Sequence, residues 1–408
     1  MKILIFNQYF WPENFRINEI ADAIHSRGHE VDVMTGKPNY PEGDFFSGYG
    51  AWGIKKDVWK KISIYRVPLI ARGKKSAVRI ALNYLSYILS ALLFAPLVLR
   101  KKKYDLIFVY GVSPIFQVIP ASFLAWLKGV PVVLWVQDLW PQSAEATGYV
   151  KSTWLLKILE KFVRFSYSHT DLILVQSQAF IDPVSKLASK IPVLYYPNSV
   201  DKYFYTPKEM DIPVIDSLTS GFTVLFAGNV GEAQSMETIV SAAEELLPYK
   251  EIKIVIIGSG SKIDWLSKEI KQKSLGNIFL EGRHPVEIMP ALMRQASVLL
   301  VSLTNQPIFG LTVPNKVQAY LAVGRPIIAS LNGEGARIIN EAKAGFSVPA
   351  EDAKGLAEAI LTMYRMTDEE RLQLGKNGRA YFKENFDEDA LIDDLIKHFE
   401  CLVAKDKS

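Results

Sequence analysis

Two consecutive doubly wound α/β domains are the architecture this 408-residue sequence predicts. The chain is longer than one ordinary hydrophobic core supports, so two domains of roughly 200 residues are expected. Short uncharged runs of strand character alternate with helix-length stretches, and the alternation starts afresh after a segment containing Pro197, Pro207 and Pro213.

Residues 2–7 read as a short buried strand, residues 12–16 as a loop, and Ile17, Ile20, Ala21 and Ile24 recur at helical spacing up to the stop at Gly28. A second strand starts at Glu30. The resulting βαβ unit belongs to a parallel sheet with helices on both faces. Strand-like runs follow at 105–110, 130–136, 171–176 and 192–195. The second series has strands at 222–227, 252–257, 278–281, 297–302 and 326–329, with a helix over 236–247. The expected domains are 1–200 and 201–385, with a last helix, 386–408, packing back toward the first.

Apolar residues make up 49% and charged residues 22%, the balance of a globular protein. Cys401 is the only cysteine, which excludes an internal disulfide framework and fits a reducing cytosol. The start does not read as a secretory signal, because the apolar run 3–6 is short and Pro12 closes it. Residues 1–200 hold 24 Lys/Arg against 14 Asp/Glu, a net of +10, whereas the remainder is net −6. One half is therefore expected to face an anionic partner, and no nucleic acid is expected. Between Lys55 and Lys103, 13 basic residues meet a single acid, Asp57. Within that stretch residues 80–99 are uncharged, long enough for a bilayer span but diluted by Asn83, Tyr84, Ser86, Tyr87, Ser90 and Pro96. A span, a helix at an anionic membrane interface and a buried helix are the three readings, the interface being preferred.

The matches that make this more specific are Asn-Gln-Tyr-Phe-Trp-Pro-Glu-Asn at 7–14, Arg-Gly-His-Glu-Val at 27–31, Pro-Asn-Tyr-Pro-Glu-Gly at 38–43 and Gln-Asp-Leu-Trp-Pro at 137–141. Pro-Asn-Ser-Val-Asp at 197–201 with Phe204, Ala-Gly-Asn at 227–229, Pro-Asn-Lys at 314–316 and Tyr-Leu-Ala-Val-Gly-Arg-Pro at 320–326 continue the series. In this order and over nearly the whole chain, the sequence resembles the retaining glycosyltransferases of family 4. Among these it is most similar to bacterial O-antigen and capsule enzymes described as N-acetyl-L-fucosamine transferases. The resemblance implies a GT-B fold, with two Rossmann-like domains facing across a cleft. It implies an acceptor-binding, membrane-facing first domain and a nucleotide-sugar-binding second one. It also implies a UDP-linked donor as substrate, no metal or cofactor, and no fixed protein nucleophile.

Transfer requires a departing diphosphate to be stabilised and an acceptor hydroxyl to be held nearby. In open parallel sheets such a site lies beyond the carboxyl ends of the strands, so the loops 12–16 and 228–235 are expected to face each other. The family's cationic pair on the diphosphate falls here on Asn229 and Gln234, after Gly228. The start of the helix at Met236 offers backbone N–H groups to an anion. Lys316 is the preferred cation, for phosphate contact or as a solvated helix start, with Arg283 second. The family's two glutamates fall on Leu311 and Ala319, or the second on Asn315. Gln318 or Asn315 is the neutral alternative toward a ribose, and Glu334 a further candidate in the same cleft. In the first domain Asp138 either binds and orients the acceptor or caps the helix after Pro141. Asp138 and Lys316 are the candidate catalytic pair. Glu13, Asn14, Arg16, Asn39 and Tyr40 are candidate acceptor contacts. Asp387 and Asp389 fit an Asp-x-Asp pattern but suit the dipole of the last helix.

The leading expectation is a retaining hexosyl or hexosaminyl transferase acting on a polyprenyl-pyrophosphate-linked acceptor at the inner face of the cytoplasmic membrane. Its partners are a nucleotide sugar, a lipid-linked saccharide and an anionic surface bound through residues 55–103. A silent sugar-nucleotide-binding or scaffold relative and a UDP-sugar 2-epimerase are the alternatives.

Overall fold

The computed structural model of the chain describes residues 1–408 apart from Lys75, Pro114, 147–151, 207–212 and 407–408. Lys75 of the basic flank and Pro207 of the expected linker thus lie outside the described residues. The chain forms two compact units, Met1–Pro197 with Asp389–Ser408, and Asn198–Glu388.

The first unit is built on β1 (Lys2–Phe6), β2 (Glu30–Gly36), β3 (Lys55–Trp59), β4 (Ile62–Val67), β5 (Leu106–Gly111), β6 (Val132–Val136), β7 (Leu172–Val175) and β8 (Val193–Tyr195). Their order is β3-β4-β2-β1-β5-β6-β7-β8, and every pair is parallel except β3 with β4. Strands β5 and β6 are buried throughout, as expected of strands covered by helices on both faces. The β3–β4 hairpin has no counterpart among the predicted strands, because Lys55, Lys56 and Asp57 break its apolar pattern. Charges suit an edge strand, where they oppose pairing with another chain. Asp57 turns inward to the buried Arg66, 2.5 Å from its Nε. Part of the basic excess therefore belongs to the sheet edge.

The last helix, Glu388–Asp406, adds Ile392, Leu395, Ile396, Phe399 and Val403 to the core that holds Ile3, Phe108 and Trp135. Arg27 fixes it from the end of the Ile17–Ser26 helix, bonding Asp389 at 2.9 Å and Asp393 at 2.5 Å. Asp389 is thereby engaged in an ion pair.

The second unit carries β9 (Phe222–Ala227), β10 (Ile252–Ile257), β11 (Ile278–Leu280), β12 (Val298–Ser302), β13 (Ile327–Ser330) and β14 (Gly345–Val348). They are all parallel, in the order β11-β10-β9-β12-β13-β14. Alternate residues of β9 feed two cores, Leu225 and Ala227 one face, Val224 and Phe226 the other. Strand β14 was not predicted; it is a half-buried edge strand opened by Gly345. The strand order reverses at β1 in the first unit and β9 in the second, and crevices for ligands open at such switch points.

The uncharged segment forms a single helix, Ala77–Val98, long and apolar enough to cross a membrane by length and composition. It joins β4 to β5, and both belong to one sheet, so a crossing that parts these strands is excluded. The buried reading is also corrected. Asn83, Tyr87, Ala91 and Ala95 face inward, while Val78, Leu82, Leu85, Leu89, Leu93 and Leu97 are 42–68% exposed. The helix carries its bulk apolar groups outward, the reverse of an ordinary core helix.

Candidate functional site

In the second unit, β9 ends at Gly228 (φ +132°), and a short turn, Glu232–Gln234, leads into the Met236–Leu246 helix. Lys316, the second residue of the Asn315–Val323 helix, reaches across this loop. Its Nζ donates to Gln234 Oε1 at 2.7 Å and lies 3.6 Å from the centroid of the Phe226 ring. A Cβ on Gly228 would meet Lys316 Cε at 2.8 Å, so the lysine lies directly over this residue, whose positive φ favours glycine. No carboxylate is bonded to the ammonium among the described residues, and burial pushes its pKa down to about 7. A lysine from a distant helix thus lies against Gln234, where the family pattern leads one to expect a loop cation. The loop after β12 joins the same place, with Thr304 N–H donating to the Ala233 carbonyl at 3.0 Å.

The other donor candidates divide. Asn229 is exposed in the loop after β9, its amide folded toward Gly231, and Asn315 is exposed at the start of the lysine's helix. Arg283 is exposed after β11. Gln318 is fully buried, and its Nε2 donates to the Asn198 carbonyl at 2.7 Å, so its amide group faces the start of the unit rather than a ribose. Glu334 opens the helix after β13 and accepts from Arg337 Nε and Nη2 at 2.9 and 3.0 Å. The neighbouring Gly333 packs on the Gly310 carbonyl, which brings Glu334 to the segment around Leu311.

In the first unit, the loops after β1, β2, β5 and β6 converge. Asp138, two residues beyond β6, accepts from Ser113 N–H at 3.2 Å and Ser113 Oγ at 2.8 Å, and Trp140 Nε1 donates to the same hydroxyl at 3.1 Å. Neither bond is to a helix start, so the capping reading gives way to a carboxylate held at the sheet edge. Its Oδ1 has no hydrogen bond among the described residues.

Glu13 is a correction to the expected acceptor surface. It is 1% exposed, and its carboxylate accepts from Asn39 and Tyr40 N–H at 2.8 Å each and from Phe10 N–H at 3.3 Å. It staples the loop after β2 to the loop after β1, and burial raises its pKa to about 7. Asn39 is also fully buried, with Oδ1 accepting from Arg72 N–H at 3.0 Å and Asn83 Nδ2 at 3.3 Å. Tyr40 lies against Tyr9 and Phe15. Asn14 is exposed, and Arg16 is half-buried ahead of the Ile17–Ser26 helix.

Several residues of these sites escaped the sequence reading. Phe226 looked like one more strand residue and Ser113 like a loop residue. Asn83 looked like a diluent of an apolar run, yet it accepts from Gln8 Nε2 at 2.7 Å and donates to the Ile70 carbonyl at 2.6 Å. A buried amide in the middle of a leucine-rich helix was the available signal. Among the described residues no group of three or more His, Cys, Asp or Glu is placed to hold a metal ion.

Residues 14–198 match the family described as glycosyl transferase 4-like domain, and residues 221–366 match glycosyl transferases group 1. The chain is a glycosyltransferase of the GT-B type. The two matches take in most of the two units just described. This glycosyltransferase is 26% identical over 339 residues to WcaI of Escherichia coli K12, named for colanic acid biosynthesis, covering 79% of this chain and 82% of that one. It is also 26% identical to the glycosyltransferase WbjE of Pseudomonas aeruginosa, over 74% of this chain and 76% of its relative. In fold it is similar to Anabaena HepE solved with UDP, with a TM-score of 0.69, 13% identity and coverage of 98% and 100%. Sucrose-phosphate synthase of Thermosynechococcus elongatus gives a TM-score of 0.69 at 16% identity, covering 99% of each chain.

Proposed function

We propose that this glycosyltransferase moves an N-acetylated deoxyhexosamine from a UDP-linked donor to a polyprenyl-pyrophosphate-linked acceptor, with retention, in O-antigen or capsule assembly. The observation that carries the reading is Lys316, held over Gly228 against Gln234 and Phe226 at the switch point of the second sheet. A desolvated ammonium with no bonded carboxylate is matched to a diphosphate, whose charge grows as the sugar departs. The backbone N–H groups of the adjoining helix start add to it. No metal or cofactor is assigned a part.

In this reading the acceptor oxygen bonds to the anomeric carbon as the bond to the diphosphate oxygen breaks. The acceptor proton passes to the departing phosphate, and Asp138 orients the acceptor hydroxyl through its unengaged oxygen. The names of WcaI and of an O-antigen chain mannosyltransferase of Escherichia coli place two relatives in surface polysaccharide work, which supports the substrate class. The outward leucines of the Ala77–Val98 helix, bracketed by Arg72, Lys74 and Arg79 and by Arg100 to Lys103, support attachment at the inner membrane face.

The test is UDP release by the purified chain, with and without a polyprenyl-pyrophosphate-linked saccharide in detergent micelles, followed by NMR of the new linkage. UDP formed only with the acceptor, and a linkage of the donor's own anomeric configuration, is expected. Conversion of the UDP-sugar into its epimer without acceptor, with no net UDP released, points to the 2-epimerase alternative, and no turnover with any UDP-hexosamine defeats the proposal.

A further inference from the structure

Arg72 lies between β4 and the apolar helix, and every neighbour that fixes it is uncharged. Its N–H donates to Asn39 Oδ1 at 3.0 Å, and the next residue, Gly73, donates to the Gly43 carbonyl at 2.8 Å. A Cβ on Gly43 would fall 2.4 Å from the Gly73 backbone, so these two loops touch and the contact requires glycine. The guanidinium Nη1 donates to Tyr9 Oη at 3.0 Å and Tyr84 Oη at 3.1 Å. Its Cζ lies 5.4 Å from the Tyr40 centroid and 5.7 Å from that of Tyr84.

No carboxylate pairs with Arg72 among the described residues, whereas the buried Arg66 has Asp57. Nε and Nη2 of Arg72 make no hydrogen bond to the described protein, although the group is half-buried. Phenols and ring faces orient a guanidinium without neutralising it, and an oriented, unpaired fork is matched to phosphate oxygens. The surroundings narrow the anion further. Arg72 is followed by Lys74 and Arg79, the first turn of the helix holds no acid, and the outward leucine stripe starts at Val78 and Leu82. That helix is about 33 Å long at 1.5 Å per residue. An anion attached to a hydrocarbon chain satisfies both features at once.

We infer that Arg72 anchors the pyrophosphate head of a lipid-linked acceptor whose hydrocarbon enters the membrane beside the leucine stripe. The inference rests on the proposed lipid-linked acceptor. In it Tyr9, Tyr40 and Tyr84 are positioning residues that aim the fork, and Asn83 ties the helix to the loops after β1 and β2. A helix that reads membrane on one side thereby holds the acceptor's head group at a set depth on the other.

Flotation of the full chain with three vesicle types tests this: neutral phosphatidylcholine, the same lipid doped with undecaprenyl pyrophosphate, and the same lipid doped to equal charge with phosphatidylglycerol. Wild type is expected to prefer the pyrophosphate vesicles, and Arg72→Gln to lose about tenfold of that affinity, the scale of one charged hydrogen-bonded contact. It keeps phosphatidylglycerol binding. Arg72→Lys, which keeps the charge and loses the fork, is expected to lose part of the preference and covers the case in which the glutamine variant fails to fold. Equal losses on both anionic surfaces, or an unchanged preference in both variants, overturn the inference. Soluble pyrophosphate displacing wild type as well as the lipid does overturns its lipid half. If wild type transfers sugar to the lipid acceptor but the variants bind as it does, the inference alone fails. If wild type shows no preference and no transfer, the acceptor reading fails with it.

Discussion

The substitution Lys316→Met tests the donor site at its centre, because a methionine side chain keeps the packing on Phe226 and Gly228 while removing the ammonium. The pKa of Lys316 is pushed down to about 7 by burial, so at about pH 8 roughly nine-tenths of the free protein carries it neutral. A bound diphosphate favours the charged form, and UDP at that pH is already fully ionised. Binding is therefore expected to take up close to one proton, read by titration calorimetry in two buffers of different ionisation enthalpy. A charge-assisted contact contributes about 1.5–3 kcal/mol, so the variant is expected to bind UDP roughly 10- to 150-fold more weakly and with no proton uptake. The same shift has a stability sign. The unfolded chain holds more protons between about pH 7 and the ordinary lysine value, so this group's contribution is lost as pH falls through 7. Removing the ammonium removes that loss, and the variant is expected to gain on wild type in thermal unfolding near pH 6. Equal UDP affinity with equal proton uptake in the two proteins refutes the assignment.

Glu13 has the opposite linkage. Its pKa is raised from 4.5 to about 7, so the stability it contributes is full below about 4.5 and falls by roughly 3 kcal/mol as pH rises through 7. The gap in unfolding free energy between wild type and Glu13→Gln is expected to narrow over that window, and a gap independent of pH counts against a buried, titrating staple. Asp138→Asn is expected to lower turnover about a hundredfold with UDP affinity unchanged, measured by initial rates and calorimetry; a parallel loss of UDP binding places the residue elsewhere. Leu89→Glu with Leu93→Glu is expected to release the protein from anionic vesicles while urea unfolding shifts by no more than about 0.5 kcal/mol per site. Large destabilisation instead makes the stripe part of a core.

Periodicity and apolar runs were enough to read most of the fold. Eleven of the fourteen strands among the described residues lie in the apolar runs read from the sequence, and their parallel arrangement follows from the helix-length connections between them. The three missed strands, β3, β4 and β14, are at or next to sheet edges, where one side of the strand or hairpin is exposed and charge or glycine interrupts the pattern. The local sequence likewise singled out Lys316, Gly228 and Asp138 as candidates, because each stands just after a strand or at the start of a helix, and the family pattern singled out Gln234.

What a one-dimensional pattern leaves open is the direction of a side chain and the identity of its partner. Glu13 and Asn39 stand in motif positions, yet both point inward, because backbone N–H groups and Asn83 consume their oxygens. Gln318 shares a helix with Lys316 and faces away from it, toward Asn198. Arg72 reads as one more charge on a basic flank until Tyr9, Tyr40 and Tyr84 are seen around it, from segments up to 63 residues away. By itself the sequence determined two doubly wound domains and the strand ends at which chemistry collects, since hydrophobic period and connection length are local properties. Only the tertiary structure decided that the leucines of residues 77–98 face outward, and which charged groups are satisfied within the protein, since burial and counter-charge come from residues distant along the chain.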